Sequence, residues 1–356
     1  MKVFFLKKNC EKLLWKFYYR YKCLTDIDGD GGYSFFQKAL MFMNITKVNF
    51  FGEYLTPERV QRNIEKSLDG VSNIIYETLT KNDPCMIARF GANEQRIVAN
   101  YLSIVNPNKD IFNSILGKKP FWWWNKMLRK ELISNAGFFP NETSNIVKYS
   151  KLMLEDTKQL DVLLTWFGWE SLIVGDYTSI NLVSLYEAEP WWQSCPWTRC
   201  LKGKKVLVIH PFAELIESQY QKRVFLFDNK DILPEFKLIT IKAVQSIAGE
   251  CDEFSNWFDA LDWMKNEMEK IDFDIALIGC GAYGFCLAAH AKRLGKKAFH
   301  MGGVLQLLFG IKGNRWENEN YHQQYNYTNL FNEYWVKPGE EYKPTGAKNV
   351  EEECYW

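Results

Sequence analysis

The residues best suited to chemistry stand directly after short apolar runs. The stretch Met86-Ile-Ala-Arg-Phe-Gly-Ala-Asn-Glu94 brings Arg89, Gly91, Asn93 and Glu94 into close succession. A carboxylate that follows a glycine at a strand end can accept a proton or hold a divalent metal. In the first turn of a helix the same Glu94 would simply complement the helix dipole. Arg89 interrupts an apolar strand and needs a partner if buried, which an anionic ligand or Glu94 would supply. His210 and His300 stand at or near the ends of two later runs, where an imidazole serves as base or ligand contact, or as a satisfied core residue. His290, among alanines in a helical stretch, reads as structural. Gly279-Cys-Gly-Ala-Tyr-Gly284 is a literal G-x-G-x-x-G between a strand and a helix. Glycines in that setting let backbone and helix N–H groups approach phosphates, or else only permit tight strand-to-helix packing. A nicotinamide enzyme would add an acid about 20 positions further on. No Asp or Glu lies between Gly284 and Glu317, so the spacing disfavours an NAD enzyme and stays compatible with a sugar nucleotide. There is no H-E-x-x-H, Walker loop or G-x-S-x-G.

The elements that must position these groups are legible around them. Pro84 to Phe90, Leu160 to Thr165, Val206 to Ile209, Phe236 to Ile241, Phe273 to Ile278 and Lys297 to Met301 are apolar runs of strand length. A helix is predicted from Asn93 to about Leu102. Another carries Trp257, Leu261, Met264, Met268 and Ile271 on one face, and a third runs from Phe285 to Leu294, with Lys292 and Arg293 closing its last turn. Strands alternating with helices imply a Rossmann-like parallel sheet flanked by helices, with ligands bound beyond the carboxyl ends of the strands. The expected organisation is a basic, aromatic arm over 1–46, one α/β domain over 47–316 with halves at about 47–200 and 201–316, and an irregular, loosely packed extension over 317–356 without chemistry.

The 356 residues carry 44 Lys+Arg against 43 Asp+Glu, so no global field recruits nucleic acid, and 47% hydrophobic content excludes a disordered chain. Nine cysteines without C-x-x-C spacing read as reduced thiols and a cytoplasmic address. Aromatics reach 16%, in clusters such as Phe121-Trp-Trp-Trp124 and Trp191-Trp192, which suits a bulky core, sugar stacking or a membrane interface. Lys2, Lys7, Lys8, Lys12, Lys16, Arg20 and Lys22 face only Glu11 and alternate with rings. Residues 1–24 therefore fit either an anionic membrane surface or an amphipathic helix packed on its own domain. Asp26, Asp28 and Asp30 match half a calcium loop, but Gln37 stands where the closing Glu belongs, so a solvated turn is the leading reading.

The segment Met86 to Glu94 resembles the R-[FY]-G-D-x-E entry strand of GT-D type glycosyltransferases, bacterial enzymes of surface-glycan assembly. Ile278 to Gly284, Ala298 to Gly303 and the stretch Gly302 to Trp316 are similar to that family's second half. The resemblance spans roughly 55–316. It implies a GT-D-like fold and a sugar transferred from a nucleotide-sugar co-substrate to a glycan or lipid-linked acceptor in polysaccharide or glycoprotein biosynthesis; with the basic arm, the expected place is the cytoplasm, either free or peripheral on the inner face of the membrane. On this reading Glu94, His300 and His210 are the catalytic candidates, as base or metal ligand. Arg89, Gly91, Asn93, Gly279, Gly281, Tyr283, Gly284, Gly302, Gly303, Gln306 and Arg315 would bind substrate, with Trp123 and Trp166 as an acceptor wall. The family's Asp is Ala92 here. That leaves Glu94 alone for Mn²⁺ or Mg²⁺, unless Arg89, Arg315 and helix N-termini neutralise the diphosphate or Asp176 recruits the metal. A non-catalytic glycan-locus protein with a degenerate metal site and an NAD(P)-binding oxidoreductase are the alternatives.

Overall fold

The computed structural model describes residues 34–51, 63–175, 178–246, 251, 253–344, 346–347 and 353–356. The segment 1–24, Asp26, Asp28, Asp30 and Asp176 lie outside the described residues.

All six apolar runs are strands: β1 (Cys85–Ala88), β2 (Val162–Thr165), β4 (Lys205–His210), β5 (Lys237–Lys242), β6 (Ile275–Ile278) and β7 (Lys297–His300). They join β3 (Asn181–Ser184) in one seven-stranded sheet of order β3-β2-β1-β7-β6-β4-β5. Every pairing is parallel. The edge strand β3 has no apolar run to announce it, because Val183 is its one buried residue.

Side chains alternate between two faces, and each face carries its own core. Met86, Ala88, Leu207, Ile209, Ala276 and Ile278 pack under α3 (Ala92–Val105), α4 (Lys126–Ala136), α5 (Thr143–Thr157), α7 (Trp257–Glu269) and α8 (Tyr283–Arg293). Cys85, Ile87, Val206, Val208, Ile275 and Leu277 face α2 (Leu68–Thr80), α6 (Ala213–Tyr220) and irregular segments from both halves. Burial on both faces explains why the central strands read as continuous apolar runs. Helix α1 (Phe35–Phe51) precedes these layers in the chain.

Helix boundaries follow local chemistry. Asn256 caps α7 by accepting from the N–H groups of Phe258 and Asp259, while His290, Lys292 and Arg293 fill the last turn of α8, where cations complement the carbonyl end.

The C-terminal stretch is not loosely packed, contrary to its lack of periodicity. Tyr327, Trp335 and Trp356 are buried in the second core, and Lys312 N–H donates to the Val336 carbonyl at 2.8 Å. Gln219 also holds it, its side-chain Nε2 donating to the Tyr334 carbonyl at 2.9 Å. Isolated rings and side chain-to-backbone bonds, rather than a helix or strand period, fix this stretch, and such a pattern leaves no signature in sequence.

Strand register sets the site. Ala88 lies level with His300, His300 with Ile278, and Ile278 with Ile209. One residue further, Arg89, Met301, Gly279 and His210 come into line at the carboxyl edge of the sheet.

Candidate functional site

A cavity of about 420 Å³ opens over this edge. Each strand delivers a wall residue from the segment that follows it: Arg89 after β1, Trp166 after β2, Leu185 after β3, Pro211 after β4, Val244 after β5, Gly279 after β6 and Met301 after β7. The C-terminal segments close it with Arg315, Tyr321, Tyr355 and Trp356. The cavity thus gathers the expected catalytic and binding residues except Gly284, and one of the two expected acceptor-wall rings. Glu94, His210, His300, Arg89, Gly91, Asn93, Gly279, Gly281, Tyr283, Gly302, Gly303, Gln306 and Arg315 line it, and Gly284 does not. Trp166 lines it as well, whereas Trp123 stacks on Phe121 at 4.5 Å, outside the cavity wall.

The glycines are bare for a reason the motif did not disclose. A Cβ on Gly284 would stand 2.2 Å from the His300 ring, and one on Gly279 would stand 2.7 Å from the Gly302 carbonyl and 2.9 Å from His210. On Gly91 it would meet the Glu94 carboxylate at 2.0 Å, and on Gly303 the Tyr355 ring at 2.2 Å. Gly302, with φ +75°, leaves room for the Arg89 guanidinium, 3.2 Å from the same point. These glycines are seats across which the polar and aromatic wall residues lie. That is why Gly284 sits behind the wall, covered by His300. Three N–H groups at the start of α8 are also spent within the protein: Ala282 donates to the Ala136 carbonyl, Tyr283 to Cys280 and Gly284 to Gly281. Only Gly281, with φ +55°, needs glycine for its backbone conformation in this turn.

The two histidines are neutral. His210 Nδ1 accepts from the Phe212 N–H at 3.0 Å, which places its proton on Nε2. His300 Nδ1 lies 3.3 Å from the Ile278 carbonyl, an acceptor only, so this ring carries its proton on Nδ1. Burial pushes the His210 pKa down to about 3; burial, aided by the Arg89 charge, does the same to His300, also to about 3.

Arg89 Nε donates to the Phe90 carbonyl at 3.2 Å, and its guanidinium stands 4.8 Å from the Trp166 ring centre. Trp166 donates from its indole to the same carbonyl at 3.0 Å, so the ring and the cation are held together. Glu94 occupies the third position of α3 behind the Gly91 cap, with its carboxylate folded back over that glycine. This is the geometry of a helix-start carboxylate. It also lines the cavity, so the two readings of Glu94 coexist. Arg315 lies 4.9 Å from the Tyr355 ring and donates to Cys354 Sγ at 3.1 Å. Gln306 is fully buried; its Nε2 donates to the Ile311 and Tyr355 carbonyls at 3.3 and 3.2 Å, while its Oε1 accepts from no donor among the described residues. An N–H or O–H of a ligand would satisfy that oxygen.

Among the wall residues that escaped the sequence reading, one is ionisable and buried. Glu189, in the segment after β3, is buried, and its carboxylate accepts from the Tyr327 hydroxyl at 2.8 and 2.9 Å and from the Trp192 indole at 2.9 Å. Burial outweighs these donors and raises its pKa to about 8. The only hint in sequence is an acid placed against Pro190-Trp-Trp192, since the tyrosine that holds it lies far along the chain.

Among the described residues the donor set does not make a protein-only metal site. Among the described residues no group of three or more His, Cys, Asp or Glu side chains is placed to hold an ion, and Ala92 supplies no carboxylate beside Glu94.

Residues 193–308 match the family model of the GT-D fold-like domain. The resemblance to the GT-D type therefore holds for that stretch, and the seven-stranded parallel sheet flanked by helices agrees with it. Among solved structures, the chain is similar to a selenomethionine-substituted domain of unknown function 1792, at 11% identity and a TM-score of 0.32, covering 78% of this chain and 96% of that one. No curated protein matches the chain.

Proposed function

We propose, with the GT-D-like domain of residues 193–308 as the premise, that the chain is a glycosyltransferase. It moves a sugar from a nucleotide-sugar donor to a hydroxyl of a glycan or lipid-linked acceptor in surface polysaccharide or glycoprotein biosynthesis. The observation that carries this reading is the pairing of two arginines, Arg89 and Arg315, with buried proton-accepting groups around one cavity at the carboxyl edge of the sheet.

In the proposed reaction the bond between the anomeric carbon and the diphosphate oxygen breaks, and its electron pair leaves with the nucleoside diphosphate. The acceptor oxygen forms the new bond to that carbon and gives up its proton. Arg89 and Arg315 neutralise the charge that grows on the departing diphosphate, the largest catalytic contribution expected here. Their guanidinium groups can grip phosphate oxygens bidentately. Gln306 accepts a hydrogen bond from the donor, through the oxygen the protein leaves unmatched. The acceptor proton passes to Glu189. His210 and His300, at about 3, are too weakly basic for that task, whereas Glu189, at about 8, has a proton affinity near neutrality, as a general base requires. Glu94 is the second candidate.

The test is release of nucleoside phosphate from UDP-, GDP-, dTDP- and CMP-sugars by the purified chain, with glycan and lipid-linked acceptors supplied. Turnover of one donor family that rises with pH toward 8 is expected. Absence of turnover with every donor, in a chain that is folded, contradicts the reading.

A further inference from the structure

Helix α1 turns an apolar stripe to solvent. At 100° per residue, Phe35, Phe36, Ala39, Phe42 and Met43 fall within an arc of about 120°. Phe35 is 90% exposed and Phe36 57%. The adjoining side carries buried Leu40 and Asn44, whose Nδ2 donates to the Ser114 and Ile115 carbonyls at 3.2 and 2.9 Å. Those bonds seat α1 on the short helix Ile111–Ile115, which in turn exposes Ile111 and Phe112, the latter 71%. Exposed large rings concentrated on two packed helices exceed the scattered apolar residues of an ordinary surface.

Basic residues outnumber acids around this face. No acid occurs between Phe35 and Phe51, and Lys38 borders the stripe. Lys109, Lys118 and Lys119 flank Phe112 in the chain, with Asp110 engaged by Lys119 at 3.3 Å. The chain leading into α1 carries seven basic residues between Lys2 and Lys22, interleaved with Phe, Tyr, Trp and Leu, against Glu11 and, nearer the helix, Asp26, Asp28 and Asp30. A partner protein would need a matching acidic rim. A lipid leaflet with anionic headgroups supplies the negative charge and the apolar interior together.

We infer that α1 and the Ile111–Phe112 tip form a docking face for an anionic lipid surface, with Phe35, Phe36 and Phe112 entering the acyl boundary and lysines on the headgroups. No helix among the described residues is long and apolar enough to cross a membrane, so this contact lies in the plane of the interface. The inference does not rest on the proposed reaction.

Co-sedimentation of the full chain with phosphatidylcholine vesicles, with and without phosphatidylglycerol, tests it. The wild type should pellet with the anionic vesicles and lose binding as salt rises. Phe112→Ser, and Phe35→Ser combined with Phe36→Ser, should each lower the partition coefficient about tenfold or more, the effect of withdrawing a ring from the apolar phase. Thermal unfolding of these variants should match the wild type, since the side chains are exposed. Unchanged binding by the serine variants overturns the inference. So does equal binding to both vesicle types, or a solution dimer that the same variants dissociate.

Discussion

The two halves of the sheet meet at one cavity and contribute opposite kinds of group to it. The β4 to β7 half offers neutral surfaces: His210 and His300 held without charge, the Gly279–Gly281 turn, and Tyr283, whose hydroxyl donates to Ser246 at 2.7 Å. The ionisable wall comes from elsewhere, Arg89 and Glu94 after β1, Glu189 after β3 and Arg315 from the C-terminal side. The GT-D-like match, residues 193–308, covers the neutral half and none of these four charges. The matched stretch thus supplies a shaped, uncharged floor, and the ionisable groups of the wall come from segments outside it.

If that division is right, changes on the charged side should strike turnover and spare the fold, while changes on the neutral side should strike the fold. Replacing Glu189 with Gln keeps an acceptor for the tyrosine and indole donors yet removes the base. Turnover should fall about 10²- to 10⁴-fold, and the rise in rate toward pH 8 should disappear, which a pH–rate profile reads. Glu94→Gln, assayed alongside, should cost less; the reverse order would move the base to Glu94. Arg89→Ala and Arg315→Ala should each weaken donor binding by about 10- to 100-fold, the loss of a charge-assisted hydrogen bond, measured by calorimetry with the nucleotide. Gly284→Ala, on the neutral side, forces a methyl into the His300 ring and should cost about 1–3 kcal/mol of stability, measured by urea unfolding.

The pH dependence of stability sharpens the same contrast. The two histidines, neutral in the fold, contribute stability that is full above about 6.5 and lost as pH falls toward about 3, because the unfolded chain takes up protons there first. Glu189 acts in the other direction: its contribution is full below about 4.5 and lost as pH rises through about 8, because the unfolded chain releases its proton earlier. Urea unfolding at a series of pH values should show both limbs, and Glu189→Gln should flatten the alkaline one alone.

The sequence displayed the floor far better than the wall. Buried parallel strands write themselves as runs such as Val206 to Ile209, and the residues after each run were the right ones to inspect. Gly279 and Gly284, whose motif allows either phosphate approach or tight packing, are crossed by His210 and His300, and Gly303 by Tyr355. Glu189 carried no motif because its environment is assembled by Tyr327 and Trp192 across distant segments, and burial of that kind has no local period. β3 and the C-terminal stretch were hidden for the same reason, one with a single buried residue, the other held by scattered rings.

The central claim is that this cavity binds a sugar nucleotide through the added charges. A thermal-shift screen of the purified chain against UDP-, GDP-, CMP- and dTDP-sugars and NAD(P), each with and without Mn²⁺, tests it most directly, because a ligand bound to the native state alone raises its melting temperature. The account predicts stabilisation by one sugar-nucleotide family, lost in Arg89→Ala. Stabilisation by NAD(P) alone, or by no nucleotide at all, would contradict it.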